Sequence, residues 1–327
     1  MKNRSDTVTD SEGVSLEDLQ GPTINRRTTV KLLSVAGVAG LAGCAGAGGS
    51  NSGDASTTGD ETPESGGSIT AGWYASGLDD LDPHYVTSGE RFQLIANITS
   101  GLTMVTPEME MQGDLATDWT VENGGARIVY KLRKDVSFHN GEEFTADDVA
   151  FSVRRSVSQE APNSDLLSPL KPLDEGGVSV IDDYTIAVEF EQPYIPGLIY
   201  FSREGRAANV INQTALEEKG REEFKRFPVG TGPFEVVSHD VGEKIELEAF
   251  DDYYGTDENG TQLPYLDGVT IRAVPEAGTI VNALRSSDLD FINEVPLENA
   301  PQLKQNSEIV THQRPDLNYY NLSMNSD

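Results

Sequence analysis

The stretch YKLRKDVSFHNGEEFTADDVAFS, residues 130–152, encodes a strand, a tight turn and a helix in succession. The strand continues an alternation of apolar and polar residues that begins at Ile128, and this period of two is typical of a half-buried strand. A His-Asn-Gly turn follows, in which Gly141 is expected to supply a positive φ angle. Thr145 is a good helix N-cap, with Asp148 three residues further on. The stretch therefore predicts a strand–turn–helix unit.

Similar signals recur along the chain. Period-two alternation predicts strands at residues 184–190 and 245–249. An apolar stripe predicts a second helix that begins at about Glu276. Residues 289–292 predict a short strand that Pro296 terminates. Because hairpins interrupt the alternation of strands and helices, the pattern favours an α/β architecture with mixed sheets over a doubly wound parallel sheet.

The charge balance excludes some classes of partner. The chain has 54 acidic and 24 basic side chains, a formal net charge of −30, and 37% hydrophobic residues, enough for a buried core. Nucleic acid or an anionic membrane surface would be repelled. At molar salt the Debye length falls to ~3 Å and screens the self-repulsion of so acidic a protein. We therefore expect a halophilic host; an acidic protein from an ordinary host is the alternative.

The first part of the chain is typical of an exported lipoprotein. Residues 1–44 contain the pair Arg26 and Arg27, then an apolar run too short to span a bilayer, which together suggest a Tat-like signal peptide. Cys44, the only cysteine, ends a Leu-Ala-Gly-Cys motif that resembles a lipobox, so we expect a lipid anchor there; a small buried thiol is the alternative. The apolar-poor segment 45–68 is expected to be a flexible, disordered tether. These features predict an extracellular protein held on the outer face of the cytoplasmic membrane.

The stretch at residues 130–152, with Trp119 ahead of it, resembles the signature of the family 5 extracellular solute-binding proteins, which include the dipeptide- and oligopeptide-binding proteins of ABC importers. Further motifs occur in the order that the family has them. They are Leu81-Asp82-Pro83, Val229-Gly230-Thr231-Gly232-Pro233-Phe234, Tyr253-Tyr254-Gly255, Leu266-Asp267-Gly268-Val269 and Asp290-Phe291-Ile292-Asn293-Glu294-Val295-Pro296. The resemblance covers residues 69–325, essentially the whole folded body.

The resemblance implies a periplasmic-binding-protein-like type II fold, in which two lobes close around a ligand and an extra subdomain packs on the first lobe. On this interpretation residues 69–89 and 193–327 form the first ligand-binding lobe, and residues 90–192 form the extra subdomain. The second lobe is expected to be missing from this chain. A ligand held by one lobe buries only part of its surface, so we expect the 327-residue chain to bind its solute weakly or not at all.

The candidate ligand contacts lie at two points of the chain, the end of the first strand with its following loop, and a strand end near residue 293. They are Trp73, Tyr74, Gly77, Leu78, Asp79, Asp80, Asn293 and Glu294. The two aromatic residues could line a pocket with apolar surface, and packing in the core is the alternative for them.

The resemblance suggests a role for some of these residues. Asn293, followed by Glu294, matches the strand end at which relatives place an Asn on the ligand backbone, and an amide can both donate to and accept from an extended peptide. Relatives sometimes use an acid for the peptide amino end at the position of Gly77. An ammonium contact in this chain therefore needs Asp79 or Asp80, and two solvated surface aspartates are the alternative.

The function implied by the resemblance is delivery of peptides to an ABC importer by lobe closure, for peptide transport across the membrane. The expected partners are the solute and the permease subunits, and the protein is expected to be a monomer. Residues 161–170 lack a Tyr that some peptide-binding relatives have there. This difference leaves open a non-peptide solute such as a nickel complex, an oligosaccharide, an opine or haem.

No pattern in the sequence indicates an enzyme, a cofactor or a metal site. His84, His139, His239 and His312 are scattered without metal-ligand spacing, and no nucleophile or phosphate-loop motif is visible. An extracellular hydrolase and a purely structural surface lipoprotein are the rival functions.

N-glycosylation triplets form a separate motif. Those that follow the predicted signal peptide are Asn97-Ile98-Thr99, Asn212-Gln213-Thr214, Asn259-Gly260-Thr261 and Asn321-Leu322-Ser323. Each could be glycosylated on an exported chain, and chance occurrence of so short a motif is the alternative.

Overall fold

The structure is a computed structural model that describes residues 65–74, 78–106, 108–158, 161–205 and 208–312. The predicted signal peptide, Cys44 and nearly all of the predicted tether lie outside these residues. Within the described ranges, no helix has both the length and the apolar character needed to cross a bilayer.

Strands and short helices alternate irregularly in the described part of the chain. The strands are β1 Ser68–Trp73, β2 Thr103–Val105, β3 Met111–Gly113, β4 Ala116–Glu122, β5 Arg127–Leu132, β6 Val178–Asp182, β7 Thr185–Glu189, β8 Phe234–Asp240, β9 Lys244–Ala249, β10 Gly268–Ala273 and β11 Phe291–Ile292. The helices are α1 Gly89–Ile95, α2 Ala146–Ser156, α3 Gly197–Tyr200, α4 Gln213–Lys219, α5 Arg221–Phe224, α6 Ala277–Arg285 and α7 Ala300–Leu303.

A five-stranded sheet has the order β11-β1-β10-β9-β8. Strand β1 lies between two parallel partners, with Ser68 opposite Gly268 in β10 and Ala71 opposite Phe291 in β11. Strands β8, β9 and β10 are antiparallel neighbours. The sheet is therefore mixed, as the sequence predicted.

A four-stranded antiparallel sheet, β4-β5-β7-β6, is built entirely from residues 116–189. Helix α2 packs against β6 and β7, and its apolar residues join a core with Tyr130, Phe138 and Phe144. The predicted capping box is confirmed, because Thr145 and Asp148 bond reciprocally to each other's backbone. The expected positive φ of Gly141 is confirmed at 81°.

The signature turn is bonded to the Gly-Thr-Gly motif that follows it by some ninety residues. The His139 backbone N–H donates to the Gly230 carbonyl at 2.9 Å, and its ring lies 3.0 Å from the Gly232 carbonyl. Both glycines are required here, since a Cβ at Gly230 would lie 2.3 Å from the carbonyl oxygen of Ile98 and one at Gly232 would lie 2.5 Å from its carbonyl carbon. The His-Asn-Gly turn and the Gly-Thr-Gly motif are thus packed against each other.

The predicted helix after Glu276 and the predicted strands near residues 186, 247 and 291 are confirmed, with ends within a few residues of those expected. The five-stranded sheet uses residues 68–73 and 234–292, and the four-stranded sheet uses residues 116–189. The division into a first lobe and an extra subdomain stays a prediction.

Gly72 supplies a test of how the sheet packs on α6. A Cβ at this position would lie 2.5 Å from Cδ1 of Leu289 and 3.1 Å from Cγ1 of Ile280, both buried. We expect Gly72→Ala to lower the free energy of unfolding by about 1–3 kcal/mol, because the core must shift to accept the methyl group. Denaturant unfolding at high salt measures this change.

Gly278→Ala is the matched control, since a Cβ there has no neighbour within 4 Å. In helix α6 this change should leave stability unchanged or raise it by up to about 1 kcal/mol. Equal stability of Gly72→Ala and the wild-type chain would contradict the tight packing of β1 against α6.

Candidate ligand-binding site

Parallel pairing brings the two predicted contact points to one edge of the sheet. Strands β1, β10 and β11 run in the same direction, so their carboxyl ends meet at a single edge. In open α/β sheets the crevice outside the carboxyl ends of parallel strands is where ligands bind. Tyr74 follows the end of β1 and Asn293 follows the end of β11, although 219 positions separate them.

Asn293 holds the two strand ends together. Its Oδ1 accepts a hydrogen bond from the Tyr74 backbone N–H at 2.8 Å, and its Nδ2 donates to Oε1 of Gln93 at 3.3 Å. Its own N–H donates to the Gly72 carbonyl at 3.2 Å. Because a backbone N–H can only donate, the atom of Asn293 that faces Tyr74 must be the oxygen. The amide is therefore fixed in orientation and keeps one N–H and one lone pair for another partner.

Trp73 and Tyr74 point to opposite faces of the sheet, as successive strand residues do. Trp73 is 7% exposed and lies in the core with Leu81 and Ile271, while its indole N–H donates to the Glu90 carbonyl at 2.7 Å. Tyr74 is half-buried against the cluster of Ile280 and its neighbours. The structure thus places the Trp73 side chain in the core, the alternative that its sequence position had left open.

The loop after β1 places its carboxylates beside arginines. Asp79 is 60% exposed and forms an ion pair with Arg91 at 3.0 Å. Asp80 is 21% exposed and forms an ion pair with Arg221 at 2.9 Å. Leu78, in the same loop, is completely buried in the core with Leu81. Of these two aspartates, Asp79 is therefore the one that presents its carboxylate largely to solvent.

The residues that directly follow this loop belong to a buried ionic network. The Arg155 guanidinium donates to Asp82 at 2.7 Å and to Nδ1 of His84 at 2.8 Å. His84 must therefore carry its proton on Nε2, which donates to the Asn209 carbonyl at 2.8 Å. The ring of Tyr85 lies 4.9 Å from the Arg155 guanidinium and 4.0 Å from that of Arg221, both cation–π contacts.

The structure brings Tyr74 and Asn293 into direct contact. Glu294 is exposed next to Asn293, and Gly77 lies outside the described residues. Sequence reasoning did not find Gln93, which contacts Asn293 from α1, or the arginines that pair with Asp79 and Asp80. A hydrogen bond between residues 200 positions apart has no local signature, so nothing in the sequence could have identified Gln93.

In the described part of the chain, no group of three or more His, Cys, Asp or Glu side chains could hold a metal ion. A surface cavity of about 520 Å³ is lined by Glu235, Glu248, Asp251 and Asp267 among others. Since Asp267 immediately precedes β10, this cavity lies at the amino-terminal edge of the parallel strands, away from Asn293. Partial burial of Glu235, together with the nearby carboxylates of Glu248 and Asp251, raises the pKa of Glu235. It is not part of the candidate site.

The described residues form an α/β architecture with mixed sheets, and its candidate ligand site is the carboxyl edge where Tyr74 meets the amide of Asn293. The chain belongs to the bacterial extracellular solute-binding proteins, family 5, whose model, described as the middle part of the family, matches residues 110–327. The expected family is thereby confirmed, and the class is that of binding proteins rather than enzymes. An extracellular family also supports export of this chain.

Three proteins illustrate the similarity of this chain to known relatives. The oligopeptide-binding protein AppA of Bacillus subtilis (strain 168) is 30% identical over 276 residues, which cover 82% of this chain and 48% of AppA. The glutathione-binding protein GsiB of Escherichia coli (strain K12) is 27% identical over 250 residues, which cover 76% of this chain and 47% of GsiB. The structure of MoaA from A. tumefaciens R10 in complex with mannopinic acid matches with a TM-score of 0.64 and 25% identity, covering 75% of this chain and 48% of MoaA.

The chain spans about half the length of these relatives. The similarity to solved structures of periplasmic binding proteins confirms this type of fold for the part of the chain that is matched.

The buried network predicts a pH dependence of stability. Burial, together with the positive charge of Arg155, lowers the pKa of His84 from its usual 6.5 to about 4. The folded chain therefore binds fewer protons than the unfolded chain between these two values. This contribution to stability is complete above about pH 6.5 and is lost as the pH falls towards about 4.

The wild-type chain is expected to lose stability between about pH 7 and about pH 4. We expect this loss to be roughly 2–3 kcal/mol smaller for His84→Gln. Glutamine can donate to Asn209 and accept from Arg155, so it preserves the contacts without titrating. Denaturant unfolding across this pH range at constant salt gives both slopes. Identical slopes for the two proteins would show that His84 does not titrate differently on folding.

Proposed function

We propose that this chain is the ligand-contacting first part of an extracellular solute-binding protein that delivers peptides to an ABC importer. The observation that carries the proposal is the amide of Asn293, held between the Tyr74 N–H and Gln93 at the carboxyl edge of the parallel strands. The names of AppA and GsiB, an oligopeptide-binding and a glutathione-binding protein, support a peptide as the solute.

The fixed amide suits the backbone of an extended peptide. The remaining Nδ2 hydrogen of Asn293 can donate to a peptide carbonyl, and the second lone pair of Oδ1 can accept from a peptide N–H. Such main-chain bonds give affinity for many sequences, because every peptide offers the same groups. The exposed side chain of Gln93 adds a second amide beside the first.

The loop after β1 offers one accessible carboxylate to the amino end of a peptide. Asp79 is mostly exposed, so an incoming ammonium could share it with Arg91. Asp80 is less accessible and is held by Arg221, which leaves it less available. We therefore assign any ammonium contact to Asp79 and a supporting role to Asp80.

Contacts on a second lobe are expected to complete the site and to favour a closed state that the permease subunits recognise. A Tat-like signal around Arg26 and Arg27 and a lipid on Cys44 would place the monomer on the outer face of the cytoplasmic membrane of a halophilic host. The acidic composition, with a net charge of −30, supports the halophilic part of this proposal.

A small organic acid is the second candidate solute. The likeness to MoaA, solved with mannopinic acid, favours it, and the amides of Asn293 and Gln93 would donate to a carboxylate as readily as to a peptide carbonyl. Binding measurements with both classes of solute distinguish the two candidates.

Removal of the fixed amide tests the proposed site. In the complete product of the host gene, we expect Asn293→Ala to weaken peptide binding about tenfold or more, equivalent to about 1.4 kcal/mol or more. Isothermal titration calorimetry at high salt, with dipeptides to nonapeptides, glutathione and mannopinic acid, measures the affinities. Tighter binding of mannopinic acid than of any peptide would select the second candidate.

Asn259→Gln is the matched control, because Asn259 is exposed in a loop at the opposite edge of the sheet. Its affinity should equal that of the wild-type protein. Equal affinities of Asn293→Ala and the wild-type protein would remove Asn293 from the site, and turnover of a peptide would contradict a binding function.

The chain of 327 residues by itself should bind the same solute weakly, with a Kd of about 1 mM or higher. The reason is that one lobe buries only part of the ligand and gains no contacts from closure. Calorimetry on the chain of 327 residues and on the complete gene product, under one set of conditions, makes the comparison. Equal, tight binding by both would show that the second lobe is not needed.

A further inference from the structure

The described residues contain N-glycosylation triplets at Asn97, Asn212 and Asn259, and their surroundings differ sharply. N-glycosylation requires the side-chain amide of Asn to reach an enzyme as a free nucleophile. The hydrogen bonds and exposure of each amide therefore decide whether the folded chain can be modified there.

Asn97 is not available in the folded chain. Its Nδ2 donates to the Gln93 carbonyl at 2.8 Å, at the end of helix α1. Thr99, the third residue of this triplet, is completely buried, and its hydroxyl donates to the Ile95 carbonyl at 3.2 Å while accepting from Asn209. A glycan at Asn97 would require this part of the core to open.

Asn212 is even less available, because it is 1% exposed and acts as the N-cap of α4. Its Oδ1 accepts from the Ala215 N–H at 2.7 Å, and its Nδ2 donates to Glu142 at 2.8 Å. Modification of this amide would cost both the cap and the ionic hydrogen bond.

Asn259 lies in a different environment, at the tip of a preformed hairpin. The hairpin is closed by the bridge between Thr256 and Gln262, and Gly260 has a φ angle of 83°. Asn259 is exposed, and its side-chain amide forms no hydrogen bond with any residue that the structure describes. Among the described residues, no hydrogen bond therefore has to break before an enzyme can reach this amide.

Asp257 holds this hairpin rigid. Its Oδ1 accepts from the backbone N–H of Asn259 at 2.9 Å and of Thr261 at 2.7 Å. Its Oδ2 accepts from the hydroxyl of Tyr265 at 2.8 Å. The backbone of the triplet is thus held in a compact turn, and Asn259 is exposed in it.

We propose that Asn259 is an N-glycosylation site of the folded protein, with a lipid-linked oligosaccharide as the sugar donor and an oligosaccharyltransferase as the enzyme. The amide nitrogen of Asn259 attacks the anomeric carbon of the first sugar. A C–N bond forms, the bond from that carbon to the phosphate oxygen of the lipid carrier breaks, and the lipid phosphate leaves with the electron pair. The amide gives up one proton to a base, and no oxidant or reductant takes part.

The position of the hairpin is compatible with ligand binding. It precedes β10, whose first residue Gly268 pairs with Ser68 at the amino-terminal edge of the parallel strands. Asn293 lies at the carboxyl edge, so a glycan on Asn259 would extend from the side of the sheet opposite the candidate site. The proposal does not depend on the identity of the solute.

The test exposes the folded chain of 327 residues to a purified oligosaccharyltransferase and a lipid-linked oligosaccharide, with intact-mass and peptide-mapping mass spectrometry as the readout. Within residues 65–312 we expect a single glycan, on Asn259. Asn259→Gln and Thr261→Ala should each lose it, whereas Thr261→Ser should keep it, because Ser supplies the same hydroxyl to the enzyme. Circular dichroism of each variant confirms that the fold is unchanged.

Three results would overturn the proposal, the last of them obtained from the exporting host. The first is an unmodified Asn259 when a denatured sample of the same chain is modified there by the same enzyme. The second is modification of Asn97 or Asn212 in the folded chain at an extent equal to that of Asn259. Isolation of the chain from its exporting host, followed by peptide mapping, must also find the Asn259 peptide glycosylated.

Discussion

The parallel pairing of β1 with β10 and β11 is the constraint on which the rest of the structure depends. A strand of six residues is hydrogen-bonded on one side to residues 268–273 and on the other to residues 291–292. This arrangement needs Gly72, since Leu289 and Ile280 occupy the space that a side chain would fill. It also sets Tyr74 and Asn293 side by side, so the packing of the core and the geometry of the candidate site have one origin.

Local features were predictable from the sequence and distant contacts were not. The capping box of Thr145 and Asp148 and the positive φ of Gly141 depend on a few neighbouring residues, and both are as expected. The sequence also pointed to Asn293, through its match to a family motif. It could not show that Gln93 would contact Asn293, because that hydrogen bond joins residues 200 positions apart.

Two arginines of this acidic chain form ion pairs with buried carboxylates. Arg155 pairs with Asp82, which is fully buried, and Arg203 pairs with Asp114, which is 2% exposed. Removal of one partner from such a pair leaves an uncompensated buried charge, which costs far more than loss of a surface ion pair. Sequence reasoning treated the charge as a property of the surface, whereas the structure shows that the fold depends on particular arginines in its interior.

The central place of β1 has a consequence for the order in which the protein folds. Residues 116–189 contain all strands of the four-stranded sheet, so its strand pairing needs no residue that is synthesised later. Strand β1 is synthesised early but has no partner until residues 268–292 follow. Contacts of such high sequence separation form slowly, and an unpaired strand invites wrong pairing. The five-stranded sheet is therefore expected to assemble last, after synthesis has passed β11.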